Sequence, residues 1–475
     1  MGMRFFEAED WLIAIQIVSN MLRTLGFFLI IPLLYSIKVG ETNFTILFSW
    51  MIIILVSVFT IIKSFLHKKH ASVKHAVIGL VLSWISISLV STIPYLIANM
   101  NFIDSFFESV SGWTGTGLTM LLNPEVMPKT IIFWRAFTQW VGGFGIVIMA
   151  LIFYESPKTA KSLFLAEGRK EDFYFSVFTI ARIIIIIYLT YTVIGVILMM
   201  ISGVPLYSAL INVMTAIATG GYSDKALGVG VFGVKALLVI ILMMIIGGIS
   251  FESHYKLFKG KWKDFINNPE VKSLFVIILV SFLIISIGLW LNHKNQYFDS
   301  FFYVVSAITG TGHGSINPVD KIPQAGLLVI VFLMISGACY GSTTGAIKIW
   351  RTIILGKVIQ RDIVRVFLPE KAIVPIKVGD KIIDEETALK ATTYTILYVV
   401  LIFIGTLIFM NFNYSLMESL FTIASAQGNV GLNIIPQEKF IIMNSWLKLQ
   451  LIIHMFLGRL EIIPVLILLR SLFKT

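Results

Sequence analysis

The chain has 475 residues, 57% hydrophobic and 13% charged, a formal net charge of +11 and a mean hydropathy of +0.89. This balance excludes a water-soluble globule, and recurrent apolar runs of roughly 20 residues, each long enough to cross a hydrocarbon core as a helix, exclude a β-barrel. Nucleic acid is excluded as a partner by where the positive charge falls. Lys and Arg gather at 67–74, 158–170, 256–263 and 348–390. These are alternate connections along the chain, the pattern of loops facing the cytoplasm, with about 25 of the 37 basic residues inside and about 8 outside.

The opening MGMRFFEAEDWLIAIQ carries acidic residues before its apolar run and no small-residue cleavage site, so no removable signal peptide is expected. Apolar periodicity predicts spans at 9–37, 42–66, 75–99, 129–155, 178–203, 230–256, 271–292, 323–355, 388–411 and 440–472. Ten spans put both termini on the cytoplasmic side of the plasma (inner) membrane. Within four pairs of spans lies a shorter apolar segment of about a dozen residues, too short to cross, that runs into a Gly-rich turn. These four segments are expected to be re-entrant.

Aligning the turns on Gly117, Gly221, Gly312 and Gly431 reveals an internal repeat with spacings of 104, 91 and 119 residues by subtraction. Six residues before each glycine stand Ser111, Thr215, Ser306 and Ser425, and five before stand Gly112, Ala216, Ala307 and Ala426. Thirteen before stand Asp104, Ser208, Asp299 and Glu418, whose Asp and Ser members are good N-caps. A short helix is therefore expected to begin at each cap and end at the small residue. The predicted fold is an all-α membrane protein with an N-terminal two-helix hairpin (1–70) and four repeats at 71–172, 173–268, 269–387 and 388–475.

The turns read Thr114-Gly115-Thr116-Gly117, Ala218-Thr219-Gly220-Gly221, Thr309-Gly310-Thr311-Gly312 and Gly428-Asn429-Val430-Gly431, and none carries a charge. Non-helical backbone at membrane depth is tolerated only where protein buries it or where it lines a wet cavity. Four equivalent turns can surround one axis, and glycine allows φ values that aim successive carbonyls the same way, as rings of ligands that replace an ion's hydration shell. Short helices pointing their negative C-terminal ends at that axis favour cations. A single Gly/Thr-rich turn is common where membrane helices pack closely; four in register point to a cation selectivity filter.

At this level of detail the chain resembles the Trk/Ktr/HKT superfamily of potassium transporters, most of all the Trk membrane subunit, which adds a two-helix hairpin before four pore repeats. The resemblance rests on FESVSGWTGTGLT (107–119), WRAFTQWVGGFGIVIMAL (134–151), IATGGYSDKALG (217–228), GACYGSTTGAIKIWR (337–351), GNVGLN (428–433) and GRLEIIPVLIL (458–468). It implies a fold like four fused potassium-channel subunits, with the four aligned glycines as filter positions and K+ as the transported ion. Gly117, where sodium-favouring relatives have Ser, supports potassium by the same resemblance, and His313 stands where Phe is commoner. The resemblance also implies a pore-obstructing gate at the helix-breaking stretch Gly337-Ala338-Cys339-Tyr340-Gly341-Ser342-Thr343-Thr344-Gly345, with Arg459 beside the path, where its charge slows cations. Read on its own, Arg459 is a costly intramembrane charge paired with Glu461 or with carbonyls. A homodimer and a separate TrkA-like ring of nucleotide-binding regulatory proteins under the cytoplasmic face are implied as partners, with the polar segment 349–393 as a cytoplasmic linker.

Other motifs carry less. Gly228-Val229-Gly230-Val231-Phe232-Gly233 matches G-x-G-x-x-G but lacks the strand and helix context of a dinucleotide site. The single cysteine, Cys339, leaves no intramolecular disulfide or thiolate cluster. His67, His70 and His75 are expected in a solvated basic loop, there is no H-E-x-x-H pair, and no catalytic constellation marks an enzyme. The rival function is a secondary symporter coupling potassium to protons or sodium by alternating access, for which the candidate carboxylates are Glu461, Asp104, Asp299, Glu418 and Glu252. Capping accounts for three of them, which favours a gated pore.

Overall fold

The computed structural model describes residues 8–65, 72–152, 177–369, 372, 374–379 and 381–472. The basic cluster 158–170, residues 67–71 of the first cluster and both chain ends lie outside these residues. Helix α1 (Ala8–Phe28) runs on through Leu29 into α2 (Ile30–Val39), and Gly40 in the left-handed region, with φ +78°, turns the chain into α3 (Thr42–Phe65). Next come α4 (Val73–Val90) and its continuation α5 (Ile93–Ile97). His75 is not in a solvated loop as expected. It is buried in the first turn of α4, with Nδ1 bonded to the Ser72 amide and Nε2 to Asp10, so the hairpin and the first repeat are tied together by a histidine–carboxylate contact.

The segments expected to form the four repeats follow. The first places α6 (Phe102–Thr114) between α4–α5 and α7 (Lys129–Ile152); the second has α8 (Val177–Ile201), α9 (Leu206–Ile217) and α10 (Gly233–Gly248). Two short helices, α11 (Phe251–Phe258) and α12 (Trp262–Ile266), lead to the third, made of α13 (Pro269–Leu291), α14 (Tyr297–Ile308) and α15 (Gln324–Ser336). After an irregular stretch come α16 (Ile349–Val366) and a two-stranded antiparallel hairpin of β1 (Ile376–Val378) and β2 (Lys381–Ile383), in which Lys377 pairs Ile382. The fourth repeat comprises α17 (Glu385–Met410), α18 (Leu416–Gly428), α19 (Gln437–Ile441), α20 (Ser445–Arg459) and α21 (Ile462–Leu472).

Among the described residues seven helices are long and apolar enough to cross a membrane, or eight if α20 and α21, bent by 114°, are taken as one. Ten spans were expected; those at 129–155, 323–355 and 440–472 are not among the seven, and residues 153–155 lie outside the described ones. The span at 440–472 breaks at Glu461, whose φ of +61° cannot continue a right-handed helix. The span at 230–256 is among the seven but ends early, at Gly248, and α11 starts afresh on the Ser250 cap. The interrupted span, 323–355, holds only 13 residues before its break, about 20 Å of helix at 1.5 Å per residue. The segment 349–393 is not a bare linker: it forms α16 and the hairpin, which pack Ile354, Ile376, Val378 and Ile383 into a small core of their own.

The caps also fall elsewhere than expected. The short helices begin three residues earlier, at Asn101, Pro205, Gln296 and Ser415, and end one or two residues past the small position. Asp104 and Glu418 are thus first-turn partners, three residues on, of the true caps Asn101 and Ser415, and Glu418 closes a capping box with Ser415. Ser208 and Asp299 instead reach forward to the segments beyond their turns. Spacing alone does not separate a cap from its partner, because both positions favour the same small polar and acidic residues.

Candidate functional site

Each short helix ends in the same backbone pattern. The amide two residues before the aligned glycine donates to the small residue's carbonyl, as Gly115 to Gly112, Thr219 to Ala216, Gly310 to Ala307 and Asn429 to Ala426, at 3.1–3.2 Å. The next amide donates to the Ser/Thr carbonyl six before the glycine, as Thr116 to Ser111, Gly220 to Thr215, Thr311 to Ser306 and Val430 to Ser425, at 2.8–2.9 Å. Left-handed φ then occurs at two places per turn: at Gly115, Thr219, Gly310 and Asn429, and again at Gly117, Gly221, Gly312 and Gly431. The residues between them are not left-handed, so handedness alternates along all four turns. Asn tolerates this region, whereas β-branched Thr219 is strained there, and its hydroxyl is held by Thr343 Oγ1 at 3.0 Å.

The four turns close into a ring. A Cβ on Gly117 would collide with the Gly220 carbonyl oxygen, on Gly221 with that of Thr311, on Gly312 with that of Val430, and on Gly431 with that of Thr116. Every glycine therefore seats the carbonyl of the next turn, first to second, second to third, third to fourth and fourth back to first. Only a residue with no side chain permits this approach together with φ between +75° and +95°. The hydroxyls six residues back secure each turn from behind: Ser111, Thr215 and Ser306 donate to the carbonyls of Leu118, Tyr222 and His313, and Ser425 accepts from the Gly431 amide. His313 itself lies fully buried against Thr215, at 3.3 Å.

Behind the ring, Ser208 and Asp299, expected as caps, join groups that the sequence did not single out. Glu108 and Arg135 are both buried and paired at 2.9 Å; Glu108 also accepts from the Thr119 hydroxyl and the Met120 amide, and the Arg135 guanidinium stacks 3.9 Å from the Tyr222 ring of the second turn. In the second repeat Asp224 accepts from Ser208 and Asn212, and in the third Asp299 accepts from Ser315 and Asn317. In register, the group nine residues before the glycine grips the residue three after it: Glu108 with Met120, Asn212 with Asp224, and Tyr303 with Ser315. That twelve-residue spacing was available in the sequence, but the residue types change from repeat to repeat and hide it.

The break after Ser336 forms a loop directly against the turns. Thr343 bonds Thr219 and the Gly247 carbonyl, Thr344 lies beside Gly310, and Gly345 lies against Gly428 and Asn429. Gly337, Gly341 and Ser342 sit on the other side of the loop, against Ala346, the Phe251 amide and Cys339. Arg459, buried, donates to the carbonyls of Thr343, Gly142 and Gly143, so it bridges the loop to the first repeat. Glu461 pairs with Arg351 of α16 at 2.9 Å rather than with Arg459. No group of three or more His, Cys, Asp or Glu side chains suited to a metal ion occurs among the described residues.

The description TrkH, cation transport protein, matches residues 40–474. An uncharacterized cation transporter of Methanocaldococcus jannaschii is 33% identical over 468 residues, 97% of this chain and 96% of that one. The Trk system potassium uptake protein TrkG of Escherichia coli is 28% identical over 416 residues, 83% and 84% of the two chains. In fold, the crystal structure of the potassium transporter TrkH from Vibrio parahaemolyticus superposes with a TM-score of 0.81 at 24% identity, over 95% of this chain and 98% of that one.

Removing one partner of a buried ion pair costs about 3–5 kcal/mol, because the other charge stays uncompensated. Glu108→Gln is therefore expected to lower the thermal midpoint of the detergent-purified protein and its yield as a single peak on size exclusion, more than Glu252→Gln at the exposed pair with Lys256. An equal midpoint for the two variants would show that the pair does not brace the turns.

Proposed function

Because the chain belongs to the family of TrkH cation transport proteins, we propose that it takes up potassium through the ring of four turns, whose carbonyls replace water around the ion. The family is one of transporters, not enzymes, and the chain is a multi-pass membrane protein of that family. The single observation that carries the reading is the closed ring itself: four uncharged turns, alternating in backbone handedness, with a carbonyl seated at each seam. Carbonyl dipoles supply field without a fixed charge, so an ion binds strongly enough to shed water and weakly enough to leave. The short helices add their negative C-terminal ends.

The loop from Gly337 to Lys348 is the gate in this reading. It lies against three of the four turns and is joined to the first repeat through Arg459, so a path through the ring meets it next. A guanidinium beside that path repels cations, and the three carbonyls that hold it keep it there until the loop moves. Passive, electrochemically driven flow is favoured over coupling by the state of the candidate carboxylates: Glu461, Asp104, Glu418 and Glu252 are paired with Arg351, Lys448, Lys439 and Lys256, and Asp299 accepts from Ser315 and Asn317. A proton-coupled carrier needs a carboxylate free to exchange.

Regulation is assigned to a separate nucleotide-binding ring under the cytoplasmic face and the working unit to a homodimer. The end of α16 supports the first assignment, since Val366 and Phe367 are 80% and 83% exposed on a polar segment outside the spans. Both termini are assigned to the cytoplasm on the distribution of basic residues.

Three outcomes test these assignments. In proteoliposomes without a proton or sodium gradient, potassium should pass down its own gradient, and Gly117→Ser, which places a side chain against the Gly220 carbonyl, should lower the K+ to Na+ flux ratio about tenfold, or about 1.4 kcal/mol. An unchanged ratio removes the ring from selectivity. Arg459→Ala should raise potassium flux several-fold, and an unchanged or lower flux from folded protein would deny its role as a barrier. Finally, Val366→Asp with Phe367→Asp should abolish the response of flux to ATP or NADH in the presence of the regulatory ring while leaving basal flux intact; a full response would move the contact elsewhere.

A further inference from the structure

The backbone of the ring repeats four times, but its support does not. In three repeats a glycine of the second long helix packs against the end of its own short helix: a Cβ on Gly142 would collide with the Trp113 carbonyl, on Gly247 with that of Ile217, and on Gly458 with that of Gln427. Each of these carbonyls lies four residues before the aligned glycine of the turn, which fixes the register of the long helices. Three residues before those helix glycines stand Gln139, Met244 and Met455, and in the third repeat, where Gly337 has the matching place, Met334. All four are fully buried. Three of them have no group that donates a hydrogen bond, and one does.

Gln139 uses that ability at the ring. Its Nε2 donates to the Gly220 carbonyl at 2.6 Å, and its Oε1 accepts from the Tyr222 amide at 3.1 Å. The side chain thus spans the peptides on both sides of Gly221. It also fills the place a Cβ on Gly220 would need, and Nε2 lies 3.7 Å from the Cβ position of Gly117. The Gly220 oxygen is the one seated against Gly117, so the amide stands directly behind the seam between the first and second turns. At the other three seams, the oxygens of Thr311, Val430 and Thr116, no side-chain donor is found among the described hydrogen bonds.

We propose that Gln139 is a specificity-determining residue for ion transport, acting by weakening and immobilising one of the four seam carbonyls. This rests on the reading of the ring as the ion-selective element. An oxygen that already accepts an N–H has part of its lone-pair density committed and its position fixed by a partner that also holds the Tyr222 amide. It is a weaker and stiffer ligand than its three counterparts. Field strength and cavity size decide which cation gains most on leaving water, and a stronger, freer oxygen favours the smaller ion. Gln139 therefore biases the ring against sodium, although its side chain need never touch the ion.

The test compares K+ and Na+ fluxes, normalised to folded protein in liposomes, for wild type, Gln139→Met, Gln139→Leu, Met244→Gln and Gly117→Ser. Gln139→Met, which installs the residue found in the other repeats and matches glutamine in length, and Gln139→Leu, a shorter apolar fork, should lower the K+ to Na+ flux ratio three- to tenfold while potassium still passes. Met244→Gln, which adds a donor at the matching place of the second repeat and carries a separate folding risk, should raise the ratio. A ratio within twofold of wild type in these variants, including one in which both normalised fluxes fall in proportion, makes Gln139 a packing residue and overturns the inference. If Gly117→Ser moves the ratio and the Gln139 and Met244 variants do not, only this inference falls. If Gly117→Ser also leaves the ratio unchanged, the ring is not the selective element and both readings fall together.

Discussion

The structure depends on four seams where a glycine α-carbon meets a carbonyl oxygen of the next turn. A methyl group at any of the four would force neighbouring turns apart, and backbone in the left-handed region would disfavour any other residue at the same place. Most of the surrounding architecture serves those contacts. The short helices deliver each turn with identical amide-to-carbonyl bonds, and the long helices cross close enough to touch the helix ends. In an apolar interior a loose turn would leave peptide groups without partners, at a cost of several kcal/mol each. Closure of the ring and satisfaction of its backbone are thus the same requirement.

Charge is arranged around this uncharged centre rather than within it. Glu108 and Arg135 neutralise each other while bonding the segment after the first turn, and Tyr222 of the second turn lies on the guanidinium face. A buried pair of this kind is weak evidence of net stability, since desolvation offsets most of the attraction, but it does fix geometry because each partner is costly without the other. Arg459 is different in kind. It faces three carbonyl oxygens and leans toward the Trp84 ring at 6.0 Å, so dipoles and an aromatic face contribute to its stabilisation.

Much of this was legible in the sequence because the ring is made from backbone. Backbone demands leave a strong trace, as only glycine or a residue such as Asn429 is comfortable with left-handed φ. The four turns and the break after Ser336 therefore stood out from residue type and spacing alone. Side-chain braces leave a weaker trace, since Glu108, Asn212 and Tyr303 hold corresponding positions with different chemistry. Helix limits were misplaced for a related reason. Apolar runs continue straight through Glu461 and past Gly248, and hydropathy does not register a change of backbone direction. The Arg351–Glu461 pair, 110 residues apart, has no local signature at all.

A single chain with four similar turns has a freedom that four identical subunits lack, because each seam can be supported differently. Here the differences are specific. The first seam has the Gln139 amide behind it. The seam between the fourth and first turns has Asn429 Nδ2 on the Thr116 hydroxyl. The second turn alone is strained at a threonine, and that threonine is the one bonded to the loop through Thr343. Strain persists only where its surroundings over-determine it, so the loop is part of what holds the second turn in shape. If the loop is the gate, as proposed, displacing it removes that restraint together with the obstruction, and opening of the path is joined to the geometry of the ring.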